Sequence, residues 1–370
     1  MLSLRALNRA LLARQFLLRR EPLDVLTAID RLAGIQAQWS PSPYIALWSR
    51  LERFAIDDLQ RELEQRTVVK ATLMRLTLHM VSAREYPNYA VATTAGRRPP
   101  AAHAGRTLGV DVAGLRERVL AATREPSSWT EIKAFIEGMA PPDLLEGRYA
   151  LLMATDLHGW MLSTPPSGSW RYFGGGRYVD AQAWLRPFAL PSPDEATTAV
   201  VERYLGAFGP ASRADLASWS GIRLGRGLGP ALVALAPRLC VFEDERGRTL
   251  YDLASAPRPD AGEPAPPRYL PKWDSTLLAY APTARDRILP EPYRGLLIGT
   301  NGDIRPTFLV DGMVAGTWEI LRQKARQARL VLSPFDGVAR AYRAKLVEEG
   351  ERLVRFVEPD SRDHAVDLPR

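Results

Sequence analysis

Thirty prolines in 370 residues set the first limit on this chain. Each one fixes φ and removes a backbone donor, so a proline inside a helix or a central strand is destabilising. Spread from Pro22 to Pro369, they predict many short elements rather than long continuous helices. With 46% hydrophobic residues, the chain can still fill real cores, and its length suits two or three domains. The single cysteine, Cys240, leaves no intrachain disulfide framework and no cysteine-cluster zinc site. The four histidines (His79, His103, His158 and His364) lack ligand-like spacing, so neither a metal nor a cofactor is expected. No apolar run reaches the roughly 18 residues of a membrane span. Met1 leads into a charged amphipathic helix rather than a signal-peptide core, which points to a cytoplasmic protein without a membrane partner.

One segment stands out, Gly34-Ile35-Gln36-Ala37-Gln38-Trp39-Ser40-Pro41. Gly34 is expected to end the preceding helix in a left-handed conformation. Pro41 and Pro43 are expected to keep the chain extended beyond it. In an extended segment Gln36 and Gln38 share a side, while Ile35, Ala37 and Trp39 anchor the other. The pair is then either a small hydrogen-bonding platform or two ordinary loop amides satisfying nearby backbone.

Along the chain, amphipathic helices are expected over 3–20 (Leu4, Leu7, Leu11 and Leu18 on one face) and 23–33. Further helices follow over 44–51 and 57–70. From Thr72 to Val81, Met74, Leu76, Leu78 and Met80 alternate with Arg75, Thr77 and His79, the pattern of a half-buried strand with one polar face. Helices followed by a strand hairpin have the order of a winged-helix unit. A second such unit has helix 111–124, then Ser128-Trp129-Thr130-Glu131 as a capping box opening helix 130–137, with Gly138 closing it. Its third helix runs over 143–155, and Ser169–Val179 reads as a basic hairpin carrying Arg171 and Arg177. A third unit has helix 194–208, a helix-turn-helix-like stretch over 210–221, and a hairpin over 239–253 turning at Asp244–Gly247. After a Pro-rich linker, strands are expected over 277–280, 295–299, 307–310 and 314–318, with Asp311-Gly312 as a tight turn. Extended alternation over 319–332 and a helix over 335–349 close the chain.

The fold class expected is therefore α+β: three tandem winged-helix units packed with a C-terminal β-barrel-like sheet. The boundaries fall at 1–100, 101–190, 191–255 and 256–370. A net charge of +7 and a pI near 9.6, carried mostly by arginine, favour a phosphate-rich partner. No phosphate-binding loop, Gly-x-Ser-x-Gly elbow or two-histidine zinc motif is present. Residues alone thus lead to a basic DNA-binding protein and not to an activity. Arg75, Thr77 and His79 could face DNA from the strand, although His79 could equally be bonded within the domain. Arg97, Arg98 and Arg106 are loop residues suited to phosphates or merely solvated. Arg171 and Arg177 are the stronger wing candidates.

The stretches Gly34–Gln38, Pro43-Tyr44, Leu47–Leu51, Leu73–His79, Leu270–Asp274 and Phe308–Trp318 together resemble the AlkZ-type bacterial DNA glycosylases. That winged-helix family also includes the YcaQ-type interstrand-crosslink glycosylases. The resemblance runs over nearly the full chain and implies tandem winged helices with a C-terminal β-barrel. It also implies that Gln36 and Gln38 match a catalytic Gln-hydrophobic-Gln motif, where the YcaQ branch has an acid at the second position. Around Asp274 this sequence departs from the family pattern, with Asp-Ser and a longer run to Arg285 and Arg287.

On that resemblance, the expected activity is monofunctional hydrolysis of the N-glycosidic bond of bulky or crosslinking N-alkylated purines, N7-guanine adducts above all. The product is an abasic site, made in DNA repair or in self-resistance to a genotoxic natural product. The expected partner is double-stranded DNA carrying alkylpurine adducts; no protein partner is implied, and a nucleoid-associated monomer is expected. The alternative is a non-catalytic winged-helix DNA-binding protein, either a regulator or an adduct shield.

Overall fold

The computed structural model describes residues 1–94, 111–139, 157–185, 187–224, 227–299, 302–323 and 327–369. Arg97, Arg98, Arg106 and the helix expected over 143–155 lie outside them.

The N-terminal helix Leu4–Arg14 is capped by Ser3, whose Oγ accepts the Ala6 N–H at 3.1 Å. It stops well short of residue 20, because Phe16 turns left-handed at φ 56°. Helix Val25–Arg31 follows, and Gly34 then takes φ 82° as expected. A Cβ at Gly34 would stand 2.9 Å from Val81 Cγ1. Pro41 and Pro43 do not prolong the extended segment. They sit at the entry of helix Ser42–Arg50, where the missing proline N–H is harmless. Helix Ile56–Glu64 ends earlier than expected, and the β-branched Val68-Val69 that follows enters a strand instead.

Six short strands build the first sheet: β1 (Ile35–Gln36), β2 (Val68–Thr72), β3 (Leu78–Ser82), β4 (Ser127–Ser128), β5 (Met161–Thr164) and β6 (Arg177–Asp180). Their order is β1-β3-β2-β5-β6-β4. The hairpins of the first and second units are thus continuous, with Lys70 of β2 opposite Ser163 of β5. Of the three tandem winged-helix units expected, the first two thus share one sheet across residue 100. The single strand expected over 72–81 is also corrected. A tight turn at Met74–Leu76 divides it, with Arg75 and Leu76 both at positive φ. Around the second unit's helix, Trp129–Met139, Ser128 and Glu131 form the expected reciprocal cap, but Gly138 lies inside the helix.

The third unit has helices Pro193–Phe208, Arg213–Ser220 and Leu228–Leu235, with Gly221 left-handed at φ 76° between the last two. Its hairpin pairs β7 (Leu239–Glu243) with β8 (Thr249–Leu253). The N-terminal helix packs against this unit. There Arg14 and Asp252, both buried, form a two-pronged ion pair at 2.6 and 2.9 Å.

The C-terminal sheet contains β9 (Arg268–Leu270), β10 (Thr307–Val310), β11 (Met313–Gln323), β12 (Gln327–Pro334) and β13 (Asp363–Asp367) in the order β13-β12-β11-β10-β9. The sheet is open, with β9 and β13 at its edges, which corrects the expected barrel. Helix Arg340–Val357 lays Leu346, Leu353, Val354 and Val357 against Tyr269, Leu330 and Leu332. The strands expected over 277–280 and 295–299 are instead short helices, Ser275–Leu278 and Arg294–Leu297. Asp274 opens the first of these by accepting the Thr276 N–H at 3.0 Å. The Asp311-Gly312 turn is as expected, left-handed at both residues. It is anchored by Arg5 at 2.9 Å and Arg9 at 2.5 Å on the N-terminal helix. Among the described residues no helix is long and apolar enough to cross a membrane.

Candidate active site

The glutamine segment forms the edge of the first sheet. Gln36 lies opposite His79, and the Ala37 N–H donates to the Leu78 carbonyl at 2.7 Å. Ile35 and Ala37 are buried in an apolar cluster with Val25, Ile29, Leu47 and Met80, while Trp39 packs toward the C-terminal sheet. This anchoring leaves the two amides to the polar side chains around them, and the two environments differ.

Gln36 is 3% exposed and Gln38 is exposed. The Gln36 Oε1 accepts from Arg75 Nη2 at 2.9 Å, and the same guanidinium donates through Nη1 to the Trp219 carbonyl at 2.8 Å. The Gln38 Oε1 accepts the Leu78 backbone N–H at 2.8 Å. One donor lies in the β2–β3 connection and the other opens β3. Each can only donate, so each fixes which end of the facing amide is oxygen. The two amides therefore turn an NH2 group away from the hairpin and keep a second lone pair on each oxygen.

They do not share one cavity. Gln36 lines a small space of about 10 Å³ with Gln15, Ser42, Arg50, Lys272 and Asp274, about the room one water needs. Arg50 and Asp274 close it as a buried ion pair at 2.9 and 3.0 Å. Gln38 instead lines a cleft of about 390 Å³ between the first and second units.

The expected DNA-facing side of 72–81 needs correction. Arg75 is turned inward from a left-handed backbone at φ 53°. Burial pulls its guanidinium down to about 10, and the Arg285 charge adds to this. Thr77 spends its hydroxyl on the Met74 carbonyl at 3.0 Å. His79 is 1% exposed, with Nδ1 at 2.8 Å from the Thr77 carbonyl, so that nitrogen carries the proton. Burial holds the His79 imidazole down at about 3, with Arg75 adding to the effect. It is neutral at physiological pH and has no edge toward solvent.

The basic hairpin also changes. Only β6 is a strand there, and its partners are β5 and β4 rather than a strand over 169–173. Arg171 adopts φ 56° and bonds to the Glu358 carboxylate and the Val357 carbonyl. It belongs to the junction with the C-terminal helix and not to a wing. Arg177 remains outside, with its side chain 53% exposed, touching the Pro126 carbonyl at 3.0 Å through Nε. Two buried features escaped the sequence reading, the Arg50–Asp274 pair and Lys70, which is 6% exposed. Lys70 was visible as a lone cation among Val68, Val69 and Ala71.

The family model of the AlkZ-like DNA glycosylases matches residues 29–356, a span that begins just before the glutamine segment and ends in the last helix. The chain belongs to the AlkZ-like DNA glycosylase family. A curated relative, the interstrand DNA cross-link repair glycosylase of Streptomyces sahachiroi, is 26% identical over 377 aligned positions, covering 92% of this chain and 93% of that one. Among solved structures, the Streptomyces sahachiroi DNA glycosylase AlkZ matches with a TM-score of 0.79 at 21% identity, over 99% of this chain and all of that one. At that identity the likeness establishes the shared α+β fold. The roles of individual residues in this AlkZ-like chain rest on the geometry above.

Proposed function

We propose that this protein hydrolyses the N-glycosidic bond of N7-alkylated purines, including bulky and crosslinking adducts, in duplex DNA, with Gln36 and Gln38 placing the water. The reading rests on the two amides, both oriented by the β2–β3 hairpin, in a chain of this family. Its crosslink-directed part is supported by the activity for which the Streptomyces sahachiroi relative is named.

Alkylation at N7 leaves the purine cationic, so it departs readily and the sugar gains oxocarbenium character. A neutral amide cannot deprotonate water strongly, but it can orient it. Each glutamine oxygen, with one lone pair on its fixed donor, can accept a water O–H with the other. The NH2 of the exposed Gln38 can donate to an acceptor on the sugar-phosphate backbone. Water adds at C1′ and releases one proton to solvent, the cationic purine leaves as a neutral base with the glycosidic electron pair, and an abasic site remains. No amine forms a bond to the sugar, so the enzyme is monofunctional. Exposed Arg177 contacts phosphate from the second unit. A basic protein of this kind works in the cytoplasm, on the nucleoid, as a monomer. Protection of a producer of a DNA-alkylating natural product is one setting for it.

The test incubates the protein with duplex carrying a defined N7-guanine adduct and then cleaves abasic sites with alkali. Release is expected from the unaltered protein, and Gln36→Ala or Gln38→Ala should lower it about 10²-fold with duplex affinity retained. Tight binding without strand breaks over several adducts would favour a non-catalytic adduct shield.

A further inference from the structure

The small cavity behind Gln36 is walled by β1, by helix Ser42–Arg50 and by the loop Pro271–Ser275. Arg50 reaches it from the end of its helix, and its guanidinium is only partly engaged. Nη1 donates to the Ala46 carbonyl and to Asp274 Oδ2, each at 3.0 Å, and Nη2 donates to Asp274 Oδ1 at 2.9 Å. Of the five donors of a planar guanidinium, two remain, the Nε–H and the second hydrogen of Nη2. These lie along one edge of the group. Nε is buried and meets no acceptor among the described residues. A buried donor in that state is costly, and a water normally meets it.

Three further side chains on the walls complete the set. Arg75 takes the oxygen end of Gln36, which leaves the NH2 of this buried amide to the cavity. Gln15 Nε2 donates to the Ala207 carbonyl at 3.0 Å, so the Gln15 oxygen is the free end. Ser42 donates its hydroxyl proton to the Lys272 carbonyl at 2.8 Å and keeps its lone pairs. The space of about 10 Å³ is thus lined by two donor groups and two acceptors, the four partners a buried water can use. The donor edge is also held in place. Asp274 is pinned by the Thr276 N–H at 3.0 Å and hydroxyl at 2.7 Å, and Trp273 before it is left-handed at φ 53°.

Resting on the function proposed above, we infer that Arg50 is a positioning residue for Gln36 and acts through one resident water in this cavity. The water accepts from the free edge of Arg50 and from the Gln36 NH2, and donates to Gln15 and Ser42. It is not the water that adds at C1′, because donors occupy both its lone pairs. With Arg75 on its oxygen and this water on its nitrogen, the Gln36 amide is held at both ends. The second lone pair of its oxygen then keeps one direction. The Arg50–Asp274 pair therefore ties the glutamine to the loop that follows β9.

The experiment measures base release from duplex carrying a defined N7-guanine adduct under single-turnover conditions. It compares the unaltered protein with Arg50→Lys, which keeps a charge opposite Asp274 but lacks the donor edge. Arg50→Lys should lose about ten-fold, the worth of one hydrogen bond from a charged donor, with duplex affinity retained. On a Gln36→Ala background it should cost nothing more, and on a Gln38→Ala background the whole ten-fold should remain. A merely structural Arg50 would cost the same on both. A crystal structure of the unaltered protein should show one water within hydrogen-bond distance of Arg50 Nε and Gln36 Nε2, which decides the matter if Arg50→Lys does not fold. Equal cost on the two backgrounds, no loss in Arg50→Lys, or a cavity without that water overturns the inference and leaves the glycosylase reading intact. No release of any N7-guanine adduct by the unaltered protein overturns both.

Discussion

Arg75 holds the Gln36 amide oxygen at 2.9 Å from a left-handed backbone conformation, φ 53°. A non-glycine residue there carries strain, which persists only where its surroundings over-determine it. The second guanidinium prong on the Trp219 carbonyl at 2.8 Å supplies that constraint. Both prongs of Arg75 are thus engaged within the fold, on Gln36 and on the Trp219 carbonyl.

Arg75→Ala should therefore cut base release about 10²-fold through a misplaced Gln36, with a much smaller change in affinity for undamaged duplex. Arg75→Lys should fail to restore it, because an ammonium cannot span both acceptors as the planar fork does. Comparing single-turnover rates with fluorescence-anisotropy titrations checks both points. A parallel loss of affinity would return Arg75 to the DNA-contact set.

His79 gives a pH dependence of stability. Its imidazole is held at about 3 in the fold, against an ordinary 6.5. Between those values the unfolded chain binds a proton that the folded one refuses, so stability rises with pH and is lost as pH falls below about 6.5. His79→Gln should flatten the melting temperature between about pH 5 and pH 6.5, a window above most carboxylate titrations. An unchanged slope there would mean that His79 is not the group responsible.

Among the described residues Lys70 is buried with no carboxylate partner, and its Nζ donates to Ser167 Oγ at 3.4 Å. Burial lowers its ammonium to about 8, so near neutral pH the fold carries the cost of a desolvated charge. Lys70→Met should raise stability by roughly 1–3 kcal/mol, read as a higher urea midpoint at an unchanged slope. A lower midpoint would show that the ammonium is held favourably after all.

Arg171 and Arg177, neighbours in sequence, should separate cleanly. Arg171→Ala leaves Glu358 with only Arg322 at 2.7 Å and should lower the melting temperature with little change in duplex affinity. Arg177→Ala should leave melting unaltered, weaken binding and reduce the salt slope by about one. Identical behaviour of the two variants would contradict the assignment.

Local chemistry was the legible part of this fold. Gly34, the Ser128–Glu131 cap, Gly221 and the Asp311-Gly312 turn all take the conformations their residue types demand. Each depends on neighbours a few positions away. What escaped depends on distant partners. Arg171 finds Glu358, and Arg75 finds Trp219, across separations no spacing rule reaches. The alternation of 72–81 did not reveal the tight turn in its middle, and the strands beside that turn, Val68–Thr72 and Leu78–Ser82, are buried almost throughout instead of on alternate residues. The apolar run Leu277–Tyr280 looked like a strand, and the Asp274 cap that makes it helical lies just before it. For the site, Gln36 and Gln38 could be singled out from the sequence. That their oxygens are fixed from one hairpin, and that they border different cavities, could not.

The continuity of the first sheet ties the glutamine edge to the second unit. Strand β2 is bonded to β3 on one side and to β5 on the other, and the residue that opens β3 is Leu78, whose N–H fixes Gln38. Arg177 lies on β6, next to the far edge strand β4. The opposite edge carries the glutamines, so Arg177 and the Gln36 strand are joined by one continuous ladder of backbone hydrogen bonds.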